Sequence, residues 1–192
     1  MMLYNIRKKT RHAVVAAGEL ILKNRAIAVA AAAILLIIFA GFLRPAIVVI
    51  LLVAAASLSM FYNRFVPQVS LGFELVTLAT VITGFAYGGL LAALVGFAAL
   101  FLAEIVGGRM TGTTIISFFG IIIAGLLVPV MKPWGITAAG IAATIIYDAI
   151  IFPLYIMTGS RLWKSLLFVG THLIFNTWVF FSIAPLVQRA IA

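Results

Sequence analysis

The chain has 192 residues, of which 66% are hydrophobic and only 9% are charged, and its mean hydropathy is +1.30. This composition is far more apolar than that of a soluble domain, so it predicts a polytopic membrane protein. The net charge is +9, and the basic residues lie in the N-terminal segment and in short connections. We therefore expect these residues to set the orientation in the membrane rather than to bind nucleic acid. The absence of cysteine excludes disulfides, thiol catalysis and thiolate metal sites.

The first 25 residues form a segment that contains six lysines or arginines. Its apolar part, residues 13–22, contains Glu19 and is shorter than the roughly 20 residues that a spanning helix needs. We therefore expect residues 1–25 to form a basic amphipathic helix at the membrane surface, followed by a single transmembrane domain over residues 26–192. A cleaved signal sequence is the lesser alternative, because residues 26–43 end without a small-residue cleavage site.

Seven apolar runs follow, each about long enough for a membrane-spanning helix. Because unpaired backbone groups exclude open sheets from lipid, these runs predict an all-α bundle of six to seven transmembrane helices. Only Arg44 separates the first two runs, and Pro45 after it predicts a tight hairpin, with a kinked or re-entrant segment as the alternative. The runs cover residues 26–43, 45–62, 71–87, 89–106, 113–131, 134–157 and 165–187.

Small residues recur along one side of the predicted helix over residues 89–106. They are Ala92, Gly96, Ala99 and Ala103. Small side chains at this spacing allow the backbones of two membrane helices to approach closely. We therefore expect a neighbouring helix to pack against this side.

The distribution of basic residues predicts the orientation in the membrane. If all seven runs cross and the N-terminus is cytoplasmic, ten basic residues lie on the cytoplasmic side and three lie outside. Without the N-terminal segment the split is only four to three, so that segment decides the prediction. We expect a multi-pass protein of the cell membrane with a cytoplasmic N-terminus.

Three of the four acidic residues lie within or at the edges of the apolar runs: Glu74, Glu104 and Asp148. A carboxylate in hydrocarbon is costly unless it is neutralised, paired or hydrated, so such residues commonly mark the functional interior of a membrane protein. With seven crossings, these three residues and His172 all fall in the same half of the membrane. We therefore expect them to share one polar pocket, where the carboxylates and His172 would engage cationic or hydrogen-bonding groups of a solute.

Each polar residue also has a structural interpretation that the sequence leaves open. Glu104 and Arg109 alternatively form an interfacial ion pair. Glu74 is alternatively a helix-start residue that interacts with the N-terminal dipole. His172 and Asn176, four residues apart on one helix face, alternatively hydrogen-bond to neighbouring helices. The candidate solute-binding residues are Glu74, Thr77, Glu104, Arg109, Asp148, Tyr155, His172 and Asn176.

Catalytic motifs are weak in this sequence. His172 and Asn176 have the HxxxN spacing of some intramembrane proteases, but the paired glutamates and the serine motif of such enzymes are missing. Two histidines in the whole chain argue against a histidine-rich metal site, and no phosphate-cradling motif is present. We expect a protein that is not an enzyme and has no cofactor or metal, with an intramembrane hydrolase as the lesser alternative.

Residues 73–96, FELVTLATVITGFAYGGLLAALVG, resemble the central helix pair of the substrate-binding S components of energy-coupling factor (ECF) transporters. In that family a helix ending in an aromatic-glycine turn leads into a helix rich in glycine and alanine. Residues 102–109 and 120–127 are similar to the next acidic and glycine-rich elements. The resemblance implies a small bundle that binds a vitamin or another micronutrient, with a separate transmembrane coupling subunit and its ATPases as partners. Residues 54–56 would then contact the coupling subunit.

The number of crossings decides how well this resemblance fits. S components usually have six crossings and an outward-facing site, whereas seven crossings place the polar cluster toward the cytoplasm. A single crossing over residues 26–62 would move the cluster to the outer half. Solute binding for uptake is the leading prediction, with lipid, a small solute, a coupling subunit and ATPases as partners and no nucleic acid.

Two other functions remain open. A weaker resemblance, to the membrane subunit of the bacterial rod-shape system, implies a non-catalytic scaffold that binds no solute. A small proton-coupled carrier that uses Asp148 is the second alternative, although no inverted repeat is evident.

Overall fold

The computed structural model describes residues 25–66, 68–69 and 71–191, together with Val15, Gly18 and Glu19. The part of the chain that it describes contains helices and no strands, so the all-α prediction is confirmed. Nearly all of the predicted basic helix over residues 1–25 lies outside the described residues. The helices are α1 (Arg25–Ser59), α2 (Val76–Tyr87), α3 (Gly89–Gly107), α4 (Thr114–Met131), α5 (Gly135–Met157), α6 (Leu162–Ser182) and α7 (Ala184–Ile191).

Helix α1 is one helix of 35 residues with Pro45 inside it. The predicted tight hairpin at residues 44–45 is therefore wrong, because the run 26–43 and most of the run 45–62 belong to one helix that ends at Ser59. Proline removes one helical hydrogen bond, but membrane helices tolerate it because continuing the helix satisfies the remaining backbone groups. The chain divides into two compact units, Met1–Ile47 and Val48–Ala192, and the second contains the bundle and the site described below.

Four stretches of the described chain are long and apolar enough to cross a membrane, which marks the chain as an integral membrane protein. One of them, Thr114–Met157, contains two helices, because a 3-10 turn at Lys132–Trp134 joins α4 to α5 and these helices pack against each other. Helix α2, with 12 residues, is shorter than a usual spanning helix. The other three stretches are Ile27–Arg64, Gly89–Gly107 and Leu162–Ser182.

Glycine residues allow the helices from α2 through α6 to pack closely against one another. Gly96 of α3 lies so near α2 and α4 that an added Cβ would fall 2.5 Å from the Thr80 hydroxyl and 3.0 Å from the Ile121 side chain. At Gly140 of α5, an added Cβ would fall 2.1 Å from the ring of Phe180 on α6. The small residues along α3 are all buried, so the predicted close packing on this side is confirmed.

The bundle has an apolar end and a polar end. Phe85, Met131, Ile136 and Ala184 belong to one buried apolar cluster, which fills the end where α2 and α4 finish and α5 begins. At the opposite end α2, α4 and α6 begin and α3 and α5 finish, and there Ser117 of α4 hydrogen-bonds to Tyr155 of α5. Antiparallel packing therefore brings the polar residues of five helices to one end.

Candidate functional site

His172, at the middle of α6, lies between two carboxylates near the start of α2. Its Nε2 is 2.7 Å from Oε1 of Glu74, and its Nδ1 is 2.9 Å from Oδ1 of Asp148. His172 is fully buried, while Glu74 and Asp148 are only 6% and 5% exposed. A doubly protonated imidazole can donate a hydrogen bond to each carboxylate, which offsets the cost of burying their charges. We call Glu74, His172 and Asp148 the triad; Glu104, the fourth residue of the predicted shared pocket, is not in contact with His172.

Glu74 also caps the start of α2. Its carboxylate accepts hydrogen bonds from the backbone N–H of Val76, from the backbone N–H of Thr77 at 3.2 Å, and from the Thr77 hydroxyl at 2.7 Å. A negative charge in this position is stabilised by the helix dipole and by the unpaired N–H groups of the first turn. The helix-start interpretation of Glu74 is therefore confirmed, and Thr77 is a residue that holds Glu74 in place.

An extended segment before α2 positions Glu74 against His172. The backbone N–H of Gly72 donates to the Thr171 hydroxyl at 2.9 Å. An added Cβ at Gly72 would lie 2.2 Å from the Cβ of His172, so only glycine allows this approach. Sequence reasoning missed Gly72, although its position two residues before a buried acid is a signal that could have identified it.

A cavity of about 490 Å³ lies beside the triad, within the size range of small-molecule sites. Glu74, Ser117 and Tyr147 are among its buried lining residues, while exposed Thr111 and Arg161 belong to its rim. Hydroxyl groups make up much of the polar lining, so the cavity offers many hydrogen bonds to a solute. They belong to Thr111, Thr113, Thr114, Ser117, Tyr147, Tyr155, Ser160 and Ser165.

Glu104 and Arg109 both line the cavity, but they do not form the predicted ion pair. Every ion pair among the described residues involves His172, so that interpretation is wrong. Gly108 adopts a left-handed conformation with φ of 66° and turns the chain away from the α3 axis. The Arg109 guanidinium instead donates to Asn63 Oδ1 at 2.8 Å and to the Val69 carbonyl at 3.0 Å. Arg109 therefore fastens the segment between α1 and α2.

The remaining sequence-predicted residues have different positions. Tyr155 lines the cavity, whereas Asp148 and His172 lie behind Glu74 and are not part of the lining. Oδ2 of Asp148 is buried without a hydrogen-bond partner among the described residues. Asn176 lies one turn beyond His172, and its amide donates to the His172 carbonyl of the same helix at 3.1 Å. Asn176 is thus outside the cavity, and its amide donates within its own helix rather than to a neighbouring one.

Two basic residues of the cavity were missed as site residues by sequence reasoning. Arg161 and Lys164 line the cavity from the start of α6. Their charges contributed only to the predicted orientation. Two cations at the positively polarised start of a helix, with no acid in its first turn, were the signal that could have marked them.

No group of His, Asp and Glu side chains in the described part of the chain could hold a metal ion. Comparisons with protein-family models, with curated proteins and with solved structures give no match. The function must therefore be argued from the geometry and charge of the site.

Proposed function

We propose that this membrane protein binds a small solute in the cavity beside Glu74 and works in uptake with a separate coupling module driven by ATPases. The cavity carries the proposal, because about 490 Å³ of space lined by charged and hydroxyl groups opens within an otherwise apolar bundle. Polar groups at membrane depth are costly and are kept mainly where function requires them. The chain has no phosphate-cradling motif, so ATP-driven work requires a partner.

The resemblance of residues 70–130 to S components supports the uptake part of the proposal. If α1 crosses the membrane once and α2 to α6 then alternate in direction, a cytoplasmic N-terminus would put the cavity on the outer side. An uptake protein receives its solute there. Eight basic residues then lie inside and four outside, with Arg44 within α1.

Cysteine labelling tests this orientation. The chain contains no cysteine, so a single introduced cysteine gives an unambiguous signal. Thr111 at the cavity rim and Lys132 between α4 and α5 are both exposed. We expect a membrane-impermeant maleimide to label Thr111→Cys in intact cells and Lys132→Cys only after permeabilisation. The reverse pattern would place the cavity inside and contradict uptake from outside.

Solute binding is tested on the full chain in phosphatidylcholine nanodiscs with a vitamin panel: nicotinate, nicotinamide, pantothenate, panthenol, thiamine and riboflavin. Binding to the folded state raises the unfolding midpoint Tm. Thr113 lines the cavity and is half-buried, so Thr113→Trp should fill the cavity and abolish the rise. Thr158→Trp is the matched control, because Thr158 is exposed and does not line the cavity. No rise with any compound, or an equal rise in both variants, would contradict the proposal.

A proton-coupled carrier is the second candidate, and the triad favours it. Buried, mutually hydrogen-bonded acid and imidazole groups are typical of proton relays in membrane carriers. Two sets of proteoliposomes, one with this chain alone and one with this chain and a co-purified ATPase partner, distinguish the two functions. Accumulation of a panel vitamin driven by a pH gradient, and abolished by a protonophore, would favour the carrier. Accumulation that requires a co-purified ATPase partner would favour the coupling module.

A further inference from the structure

We infer that the solute carries an anionic group, a carboxylate or a phosphate, which Arg161 and Lys164 bind at the cavity rim. The inference rests on the proposed function and specifies its substrate class. It differs from the sequence-based expectation that the carboxylates and His172 engage cationic or hydrogen-bonding groups of the solute. Three features of the site support it: the unpaired cations, their position on α6, and the engagement of Glu74 by other groups.

Arg161 and Lys164 form no ion pair with a carboxylate of the described residues. Both line the cavity, and Arg161 is exposed while Lys164 is half-buried. All ion pairs found among the described residues involve His172, so neither cation has a carboxylate partner there. The Lys164 ammonium lies 5.7 Å from the ring centre of Trp163, a contact that leaves its charge in place. The rim therefore presents two positive charges to the cavity.

Their position on α6 increases the positive potential. Arg161 is the residue that precedes the first turn of α6, Lys164 lies within that turn, and the turn contains no acidic residue. The start of a helix favours anions and disfavours cations. An anion in the cavity would relieve this repulsion and would also accept hydrogen bonds from the hydroxyls of Thr111 and Ser160.

The carboxylates that line the cavity do not balance these cations. Glu74 is already engaged by His172, by Thr77 and by backbone N–H groups. Glu104 is the other carboxylate among the described lining residues, and Arg109 adds a third cation that is hydrogen-bonded only to neutral groups. The charge available to a solute is therefore predominantly positive.

Inorganic phosphate is the probe for this inference. Tm of the full chain in phosphatidylcholine nanodiscs is compared in phosphate and in chloride at equal ionic strength. The test variant is Arg161→Gln/Lys164→Gln. The matched control, Lys132→Gln/Arg189→Gln, removes two exposed charges at the apolar end of the bundle. At about ten times Kd we expect phosphate to raise Tm by about 3–6 °C in the wild type and the control, and not in the test variant.

A wild type that does not respond to phosphate, or a test variant that responds like the control, would overturn the inference. A second set of nanodiscs with phosphatidylglycerol identifies the source of the anion. If this lipid abolishes the phosphate response of the wild type, the anion site stands, but a lipid headgroup occupies it and the solute function fails. If instead the test variant binds a panel vitamin as tightly as the wild type does, the inference fails and the proposed function stands.

Discussion

His172→Phe tests how strongly the triad stabilises the bundle. The phenyl ring keeps the approximate shape of the imidazole, which stacks on Phe168 with ring centres 5.4 Å apart. The substitution removes the hydrogen bonds that join residue 172 to Glu74 and Asp148. Glu74 retains Thr77 and the backbone N–H groups, but Asp148 loses its only hydrogen-bond partner among the described residues. The destabilisation should therefore come mainly from Asp148.

Removing one partner of a buried ion pair typically costs about 3–5 kcal/mol. For a chain of this size, about 1 kcal/mol corresponds to a change in Tm of about 2–4 °C. We therefore expect His172→Phe to lower Tm by about 6–20 °C, measured by thermal unfolding of the purified protein in detergent. Replacing both partners by apolar groups avoids the unpaired charge, so His172→Phe/Asp148→Leu should recover more than half of the loss.

Asn176→Leu is the control for this experiment. Asn176 is buried one turn from His172, but its amide donates only within its own helix, so we expect a change in Tm of less than about 4 °C. A decrease for His172→Phe no larger than that of this control would refute the argument. A double variant less stable than His172→Phe would refute it as well.

Three further predictions concern the segment before α2 and the cavity. Gly72→Ala should cost about 1–3 kcal/mol, because its Cβ would collide with His172, and thermal unfolding in detergent measures the loss. Arg109→Gln should speed amide hydrogen exchange over residues 60–75, because the bond to the Val69 carbonyl is lost; unchanged exchange would contradict its fastening role. Glu104→Gln should tighten phosphate binding about threefold at low salt and less at high salt, because it removes a negative charge that repels phosphate from the cavity. A titration of Tm with phosphate at low and at high salt measures both effects. Weaker binding in this variant would show that Glu104 contributes to the anion site.

The gathering of the acids could be predicted because it depends largely on the alternation of helix direction. Glu74 precedes α2, Asp148 lies just past the middle of α5 and His172 lies at the middle of α6, so the alternation of direction favours the approach of these three side chains. The hairpin predicted from Pro45 is absent because proline, which commonly ends helices in water, is tolerated within membrane helices. The residues around Pro45 do not distinguish a proline that ends a helix from one that lies inside it.

The partners of individual side chains were harder to predict. Glu104 and Arg109 are near in sequence, but the left-handed Gly108 between them points the arginine toward Asn63. The approach of Gly72 to His172 joins residues far apart in sequence, and no periodicity reports such a contact. Such pairings depend on tertiary geometry, which the sequence does not display locally.

The many hydrogen bonds to Glu74 have a consequence for how a solute would bind. Imidazole, hydroxyl and backbone donors hold this carboxylate in position, and it also forms part of the inner cavity wall. That wall is preorganised, so little conformational entropy remains to be lost there when a solute arrives. Adjustment to different solutes should then occur at the exposed rim, at residues such as Thr111 and Arg161. Changes at the rim would alter which solute binds, while the inner wall would keep the bundle folded.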